Sequence, residues 1–147
     1  MSTNIKNAII HNMVNQKPEA GELHHIEINV SDLSKSTEFW GWFLEGLGYQ
    51  KYQEWKNGKS WRLKNTYIVF VQTETEYFDP SYHRKRTGLN HLAFHAGSRQ
   101  QVDGVTKTLK KKGIKILYPD RHPYAGGYYA VYFEDPNRIK IELVAPK

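Results

Sequence analysis

The chain has no cysteine, only two methionines, and no apolar run approaching the roughly 18–20 residues that a membrane-spanning helix needs. Without cysteine there is no disulfide framework, no thiolate nucleophile and no thiolate-ligated metal. The opening stretch MSTNIKNAIIHNMVNQKPEAGE lacks the continuous apolar core of a signal peptide. These absences lead us to expect a soluble, cytoplasmic protein with no membrane partner. Acidic residues are also in the minority, 15 against 21 lysines and arginines, for a net charge of +6 at pH 7. The densest positive cluster is Lys107, Lys110, Lys111, Lys112 and Lys115. It falls at the end of a predicted helix, where the helix dipole favours cations and solvent receives them. No zinc finger, helix-turn-helix or RNA-binding signature accompanies it, so nucleic acid is not an expected partner. A small acidic substrate accounts for the charge equally well.

What the chain does have is aromatic residues, 14% of the total, and one pattern that occurs twice. In LHHIEINVSDL, Leu23 to Leu33, strand alternation puts His25, Glu27 and Asn29 on one face and Ile26, Ile28 and Val30 on the other. Asp32 or Ser34 can cap a helix carrying Phe39, Trp40, Phe43, Leu44 and Leu47 at helical spacing, with Gly48 as its stop. Strands are predicted at about 50–55, 60–64 and 66–72, the first two joined by the turn signal KNGK.

Moved on by 66 residues, the opening strand falls on LNHLAFHAGS, with His25 over His91 and Asn29 over His95. Ser98 begins an S-x-x-Q capping box, a second helix follows through Val102, Val105 and Leu109, and Gly113 matches Gly48. Further strands are predicted at about 114–117, 127–133 and 138–144, with EDPNR turning the last pair. The chain therefore reads as an N-terminal extension, 1–21, and one domain, 22–147, built from two modules, 22–76 and 88–147. The expected class is α+β: two β-α-β-β-β modules forming a curved mixed sheet around a cleft, helices on the outside.

Duplication turns the polar strand face into a candidate site. His25 and His91 occupy equivalent positions, and RIKIELVAP puts Glu142 on the face opposite Ile139, Ile141 and Leu143. Two imidazoles and one carboxylate with open coordination positions suit a catalytic divalent ion: Fe, Mn, Ni or Zn. Glu27 is the candidate general base or a partner of a ligating imidazole. Asn29 and His95 share the cleft parity. Arg121, Tyr124 and Tyr128, in DRHPYAGGYY, are candidate substrate contacts at the mouth.

The segments HHIEINVSDLSKSTEFWGWFLEGLGY, GLNHLAFHAGSRQQVDGVTKTLKKKGI and YYAVYFEDPNRIKIELV resemble the vicinal oxygen chelate superfamily, which includes glyoxalase I, fosfomycin- and bleomycin-resistance proteins and extradiol dioxygenases. The resemblance implies paired modules around a metal cleft, frequent homodimers, and metal ligands at His25, His91 and Glu142. It further implies Lewis-acid chemistry on a small oxygenated substrate, through an enolate or oxyanion, or dioxygenase chemistry. The alternative within the same superfamily is a metal-free sequestering protein of the bleomycin-resistance type. Two departures stand out. No acid sits cleanly within the strand of YIVFVQTE, where glyoxalase I has a fourth ligand; Gln72 is the polar candidate inside it and Glu74 lies just beyond. The polar loop of the fosfomycin group is replaced by YAGGYY.

Overall fold

Asp32 and Ser98 start the two helices as the sequence leads one to expect. In the computed structural model, which describes residues 17–147, the Asp32 side chain accepts from Lys35 N at 3.0 Å and Ser98 Oγ from Gln101 N at 3.1 Å. Each occupies an N-cap and satisfies one of the backbone donors a helix start leaves open. The Gln101 side chain reaches back to Gly97 N, one residue before the cap, at 2.7 Å. Both helices end alike. Gly48 and Gly113 take positive φ, and the next residue bonds back into the last turn, Tyr49 N to Leu44 O and Ile114 N to Leu109 O.

These caps bound α1, Leu33–Gly46, and α2, Arg99–Lys111. Around them lie β1 (His25–Val30), β2 (Gln50–Trp55), β3 (Gly58–Leu63), β4 (Thr66–Gln72), β5 (His91–His95), β6 (Ile116–Leu117), β7 (Ala130–Glu134) and β8 (Lys140–Val144). The strands form two mixed four-stranded sheets, ordered β1-β4-β3-β2 and β5-β8-β7-β6. In each, the first strand runs parallel to the last strand of its module and the other pairings are antiparallel. The expected α+β class and doubled β-α-β-β-β plan are both present. The hydrogen-bonded sheet stops at each module, however: β1 and β5 are edge strands of separate sheets.

Three strands begin later than their sequence pattern, the one expected from 114 starting at Ile116. The expected strand from 127 starts at Ala130, because Gly127 (φ +81) closes a turn back to Tyr124 O. The expected strand from 138 starts at Lys140, because Arg138 (φ +66) completes the Asp135 turn. The 1–21 extension falls largely outside the described residues. No helix among the described residues is long and apolar enough to cross a membrane.

Each helix covers one face of its sheet and leaves the other to the polar residues. Trp40, Phe43 and Leu44 of α1 are buried with Ile68 and Phe70 of β4, and with Phe133, Ile141 and Leu143 of the second module. The Trp40 ring stacks on Phe70 at 4.9 Å and Phe43 meets Phe94 and Phe133 edge-on, both at 5.3 Å. A buried ring of this size contributes about 1.5–3 kcal/mol, so the aromatic excess largely serves to join the modules. Polar bonds fix the joint. Trp40 Nε1 donates to the buried Asp135 at 3.0 Å, and Asn137 Nδ2 donates to Ser31 Oγ at 2.7 Å. Asp135 Oδ1 also accepts from Asn137 N and Ile139 N, both at 2.8 Å, which is the turn role read from EDPNR.

Candidate metal centre

Strand pairing puts His91 opposite Lys140, Ala93 opposite Glu142, and Glu142 opposite Tyr132, all on the sheet face away from α2. Alternation alone therefore aims the His91 and Glu142 side chains the same way. Their Nε2 and Oε2 atoms lie 3.4 Å apart. His91 Nδ1 bonds to Asn90 Oδ1 at 2.7 Å. An amide oxygen can only accept, so Nδ1 donates to it, and whenever the ring carries one proton Nε2 is the nitrogen with the lone pair. A nitrogen lone pair facing a carboxylate oxygen calls for a positive charge between them. Two donors each about 2.1 Å from one ion at a tetrahedral angle stand roughly 3.4 Å apart, so this pair fits a shared divalent cation.

Glu142 is held from behind. Tyr132 Oη donates to Oε1 at 2.6 Å, leaving Oε2 for His91 or a cation. Burial, then the Glu142 carboxylate, push the Tyr132 hydroxyl well above its ordinary value, so it stays protonated and keeps donating. Gly126 closes over this bond: a Cβ there would collide with the Tyr132 hydroxyl and lie 3.7 Å from Glu142 Oε1. Sequence reasoning missed Tyr132, Asn90 and Gly126 as parts of the site. The signal for Tyr132 was available, since it shares parity with Glu142 across the EDPNR hairpin.

His25 does not join the pair within this chain. Among the described residues no three histidine or acidic side chains come together as a metal-holding group. The imidazole lies flat against Tyr67, ring centres 4.8 Å apart, and its Nδ1 is 2.8 Å from His24 Nδ1. The reason lies in the topology: β1 and β5 share no ladder, so equivalence by repeat does not bring their residues into contact. Glu27 and Asn29 sit with His25 on the exposed face of β1 and line a cavity of about 530 Å³ with Tyr82, Arg86 and Leu89. Neither His91 nor Glu142 lines it. His95 is exposed, two residues along the His91 face. Tyr124 and Tyr128 are exposed around the Gly126 turn, and the Arg121 guanidinium lies 5.1 Å from the centre of the Tyr118 ring.

The two substitutes for a fourth ligand fare differently. Gln72 belongs to the opposite face from His25, and both ends of its amide are engaged: Oε1 accepts from Leu33 N and Nε2 donates to Ser31 O, each at 2.9 Å. It closes the entry to α1, on the face turned away from His25. Glu74 lies beyond β4, exposed at the start of a 3-10 turn.

The sequence pattern of the Glyoxalase/Bleomycin resistance protein/Dioxygenase superfamily matches residues 22–143. The chain belongs to this superfamily. Within it, the chain is 58% identical over 126 residues to the uncharacterized protein YqjT of Bacillus subtilis, covering 84% of this chain and 98% of the relative. A solved structure of a candidate glyoxalase from Bacillus halodurans superposes with a TM-score of 0.85 at 60% identity, covering 86% of this chain and 97% of that one. More distantly, the glutathione transferase FosA of Serratia marcescens is 26% identical over 121 residues, 82% of this chain and 78% of the relative. The fosfomycin resistance protein FosX of Listeria monocytogenes, solved with Mn(II) and sulfate, shares the fold at a TM-score of 0.63 and 22% identity, covering 88% of this chain and 93% of that one. Superfamily membership thus rests on the whole two-module plan, and the His91–Glu142 pair sits on its second module.

Proposed function

We propose that the protein is a divalent-metal-dependent enzyme of this superfamily acting on a small oxygenated molecule. The observation that carries this reading is the His91 Nε2–Glu142 Oε2 separation of 3.4 Å, with Asn90 and Tyr132 each holding the far side of its partner. Such outer bonds orient ligands and set their basicity. The third ligand is His25 of a second copy. The open edges of β1 and β5 can pair between two chains in a homodimer, which would set His25, Glu27 and Asn29 across from the partner copy's pair. Glu27 then serves as general base, and Asn29, His95, Tyr124 and Tyr128 border the substrate. A bound Fe, Mn, Ni or Zn ion would supply Lewis-acid polarisation of a substrate oxygen. The manganese in the structure of the Listeria relative supports a metal of this kind.

Elemental analysis of untagged protein tests the reading, with His91→Ala, Glu142→Ala and His25→Ala beside it. Wild type is expected to hold close to one metal per chain and each variant to lose it. Mixing His25→Ala with His91→Ala chains then restores one intact site per mixed pair, since the undamaged His25 meets the undamaged His91–Glu142. Absence of metal after reconstitution would sink the proposal and leave the metal-free, aromatic-lined binding protein as the better account. Failure of the mixture alone would sink the shared site.

A further inference from the structure

The residue before each site imidazole bonds to the same nitrogen of that ring. Moved on by the 66-residue repeat, His24 falls on Asn90 as His25 falls on His91. Asn90 Oδ1 lies 2.7 Å from His91 Nδ1, and His24 Nδ1 lies 2.8 Å from His25 Nδ1. The residue types differ while the bonded atom of the site imidazole is shared, so in both modules Nε2 is the nitrogen left for a further partner. For His91 that partner lies on the Glu142 side. Rings fix the rest of the arrangement in the first module. The His25 ring is nearly parallel to Tyr67, 6° between their planes. His24 stands edge-on to both, its ring centre 5.0 Å from that of His25 and 5.3 Å from that of Tyr67. Tyr67 N donates to His24 O at 3.2 Å, which ties the His24 backbone to β4.

Stacking on Tyr67 sets the plane of the His25 ring but not which nitrogen carries its proton. The bond to His24 does. Two nitrogens 2.8 Å apart hold one hydrogen between them, so one ring donates and the other accepts. If His24 accepts, the His25 proton sits on Nδ1 and Nε2 keeps the lone pair that a metal ion needs. If His24 donates, the neutral His25 ring carries its proton on Nε2 and offers no lone pair there. Asn90 permits only the first arrangement at His91, because its oxygen cannot donate. We infer that His24 does for His25 what Asn90 does for His91. It is a positioning residue whose Nδ1 lone pair holds the His25 proton on Nδ1 and keeps Nε2 open for a cation. The inference rests on the metal-site reading for what Nε2 meets, but the bond between the two rings needs no metal.

Two substitutions separate the lone pair of His24 from its ring. His24→Asn keeps an acceptor of the kind the second module uses and gives up the aromatic contact with Tyr67. His24→Phe keeps the aromatic contact and gives up the acceptor. Nitrogen-resolved NMR of the imidazoles, on metal-free protein in alkaline buffer, should find the His25 proton on Nδ1 in wild type and in His24→Asn. In His24→Phe it should be shared between the two nitrogens. In a chelator competition for Zn(II), His24→Phe should weaken binding about tenfold or more, and His24→Asn less than about threefold. A His25 proton on Nε2 in wild type would overturn the inference. So would an affinity kept by His24→Phe and lost by His24→Asn, since packing on Tyr67 would then be the part His24 plays. Unchanged affinity in both variants refutes the role of His24 and leaves the metal centre standing. If wild type binds no metal, the metal-site reading fails, and the position of the His25 proton decides the role of His24 by itself.

Discussion

Across the first sheet one row reads Glu27, Val69, Ser60; the equivalent row of the second reads Ala93, Glu142, Tyr132. One row along, His25 stands beside Tyr67 and Arg62, and His91 beside Lys140 and Glu134. Both modules keep the imidazole, but the carboxylate stands on the first strand in one and on the last strand in the other. In the second module that places donor and carboxylate 3.4 Å apart. In the first, the imidazole stacks on a tyrosine. A repeat conserves the points of the lattice, and what occupies each point decides which half acts.

The largest effect should come from cutting the joint between the modules. Asp135→Ala strands the Trp40 indole N–H and two turn amides in a buried setting, and is expected to cost about 3–5 kcal/mol in urea unfolding. Asp135 also ties stability to pH. Burial pushes its carboxyl from 3.8 up to about 6, against the opposing bonds from Trp40 and the turn amides. The folded state therefore holds more protons than the unfolded chain between about pH 4 and 6. Its contribution is fully present at the acid end and falls by roughly 3 kcal/mol as pH rises through that window. Relative to Asp135→Asn, wild type should lose stability across this window; a parallel pair of pH profiles would refute the coupling.

A smaller effect separates the equivalent residues Tyr132 and Ser60. Tyr132→Phe removes the bond to Glu142 Oε1 and should weaken metal binding about tenfold in a chelator competition. Ser60→Ala loses only a bond from Gln53 N, costing about 1 kcal/mol of stability with metal affinity unchanged. Equal metal affinity in the two variants would erase the asymmetry between modules. The smallest effect lies at the matching turns. Lys64 and Arg138 each precede the last strand of a module by two residues and take φ of +52 and +66. Lys64→Gly should stabilise by about 0.5–1 kcal/mol. Arg138→Gly should gain less, because it also gives up the exposed contact to Glu134.

Much of the architecture was legible because local chemistry and the repeat agree. Asp32, Ser98, Gly48 and Gly113 punctuate both helices, and Ile26, Ile28 and Val30 set the parity that exposes His25. Glu142 followed from the same alternation in RIKIELVAP. The position of β1 against β5 was not legible, since periodicity within a strand says nothing about which edges meet. Nor was Gln72: its type fits a ligand, and only its place at the entry to α1 shows both ends of the amide already engaged. Asn90 escaped notice because it precedes β5 and its role depends on the ring it touches.

The Trp40–Asp135 bond has a consequence for the history and handling of the repeat. Trp40 belongs to the first half and Asp135 to the second, so the buried indole N–H and the Oδ2 of Asp135 meet their bond across the joint, while Asp135 Oδ1 is held by its own turn. The halves have become obligate complements and no longer work as interchangeable copies. Opening the backbone within the exposed stretch around Lys85 should therefore leave two fragments that find each other in solution, while either one expressed by itself would arrive with an unanswered partner at its centre.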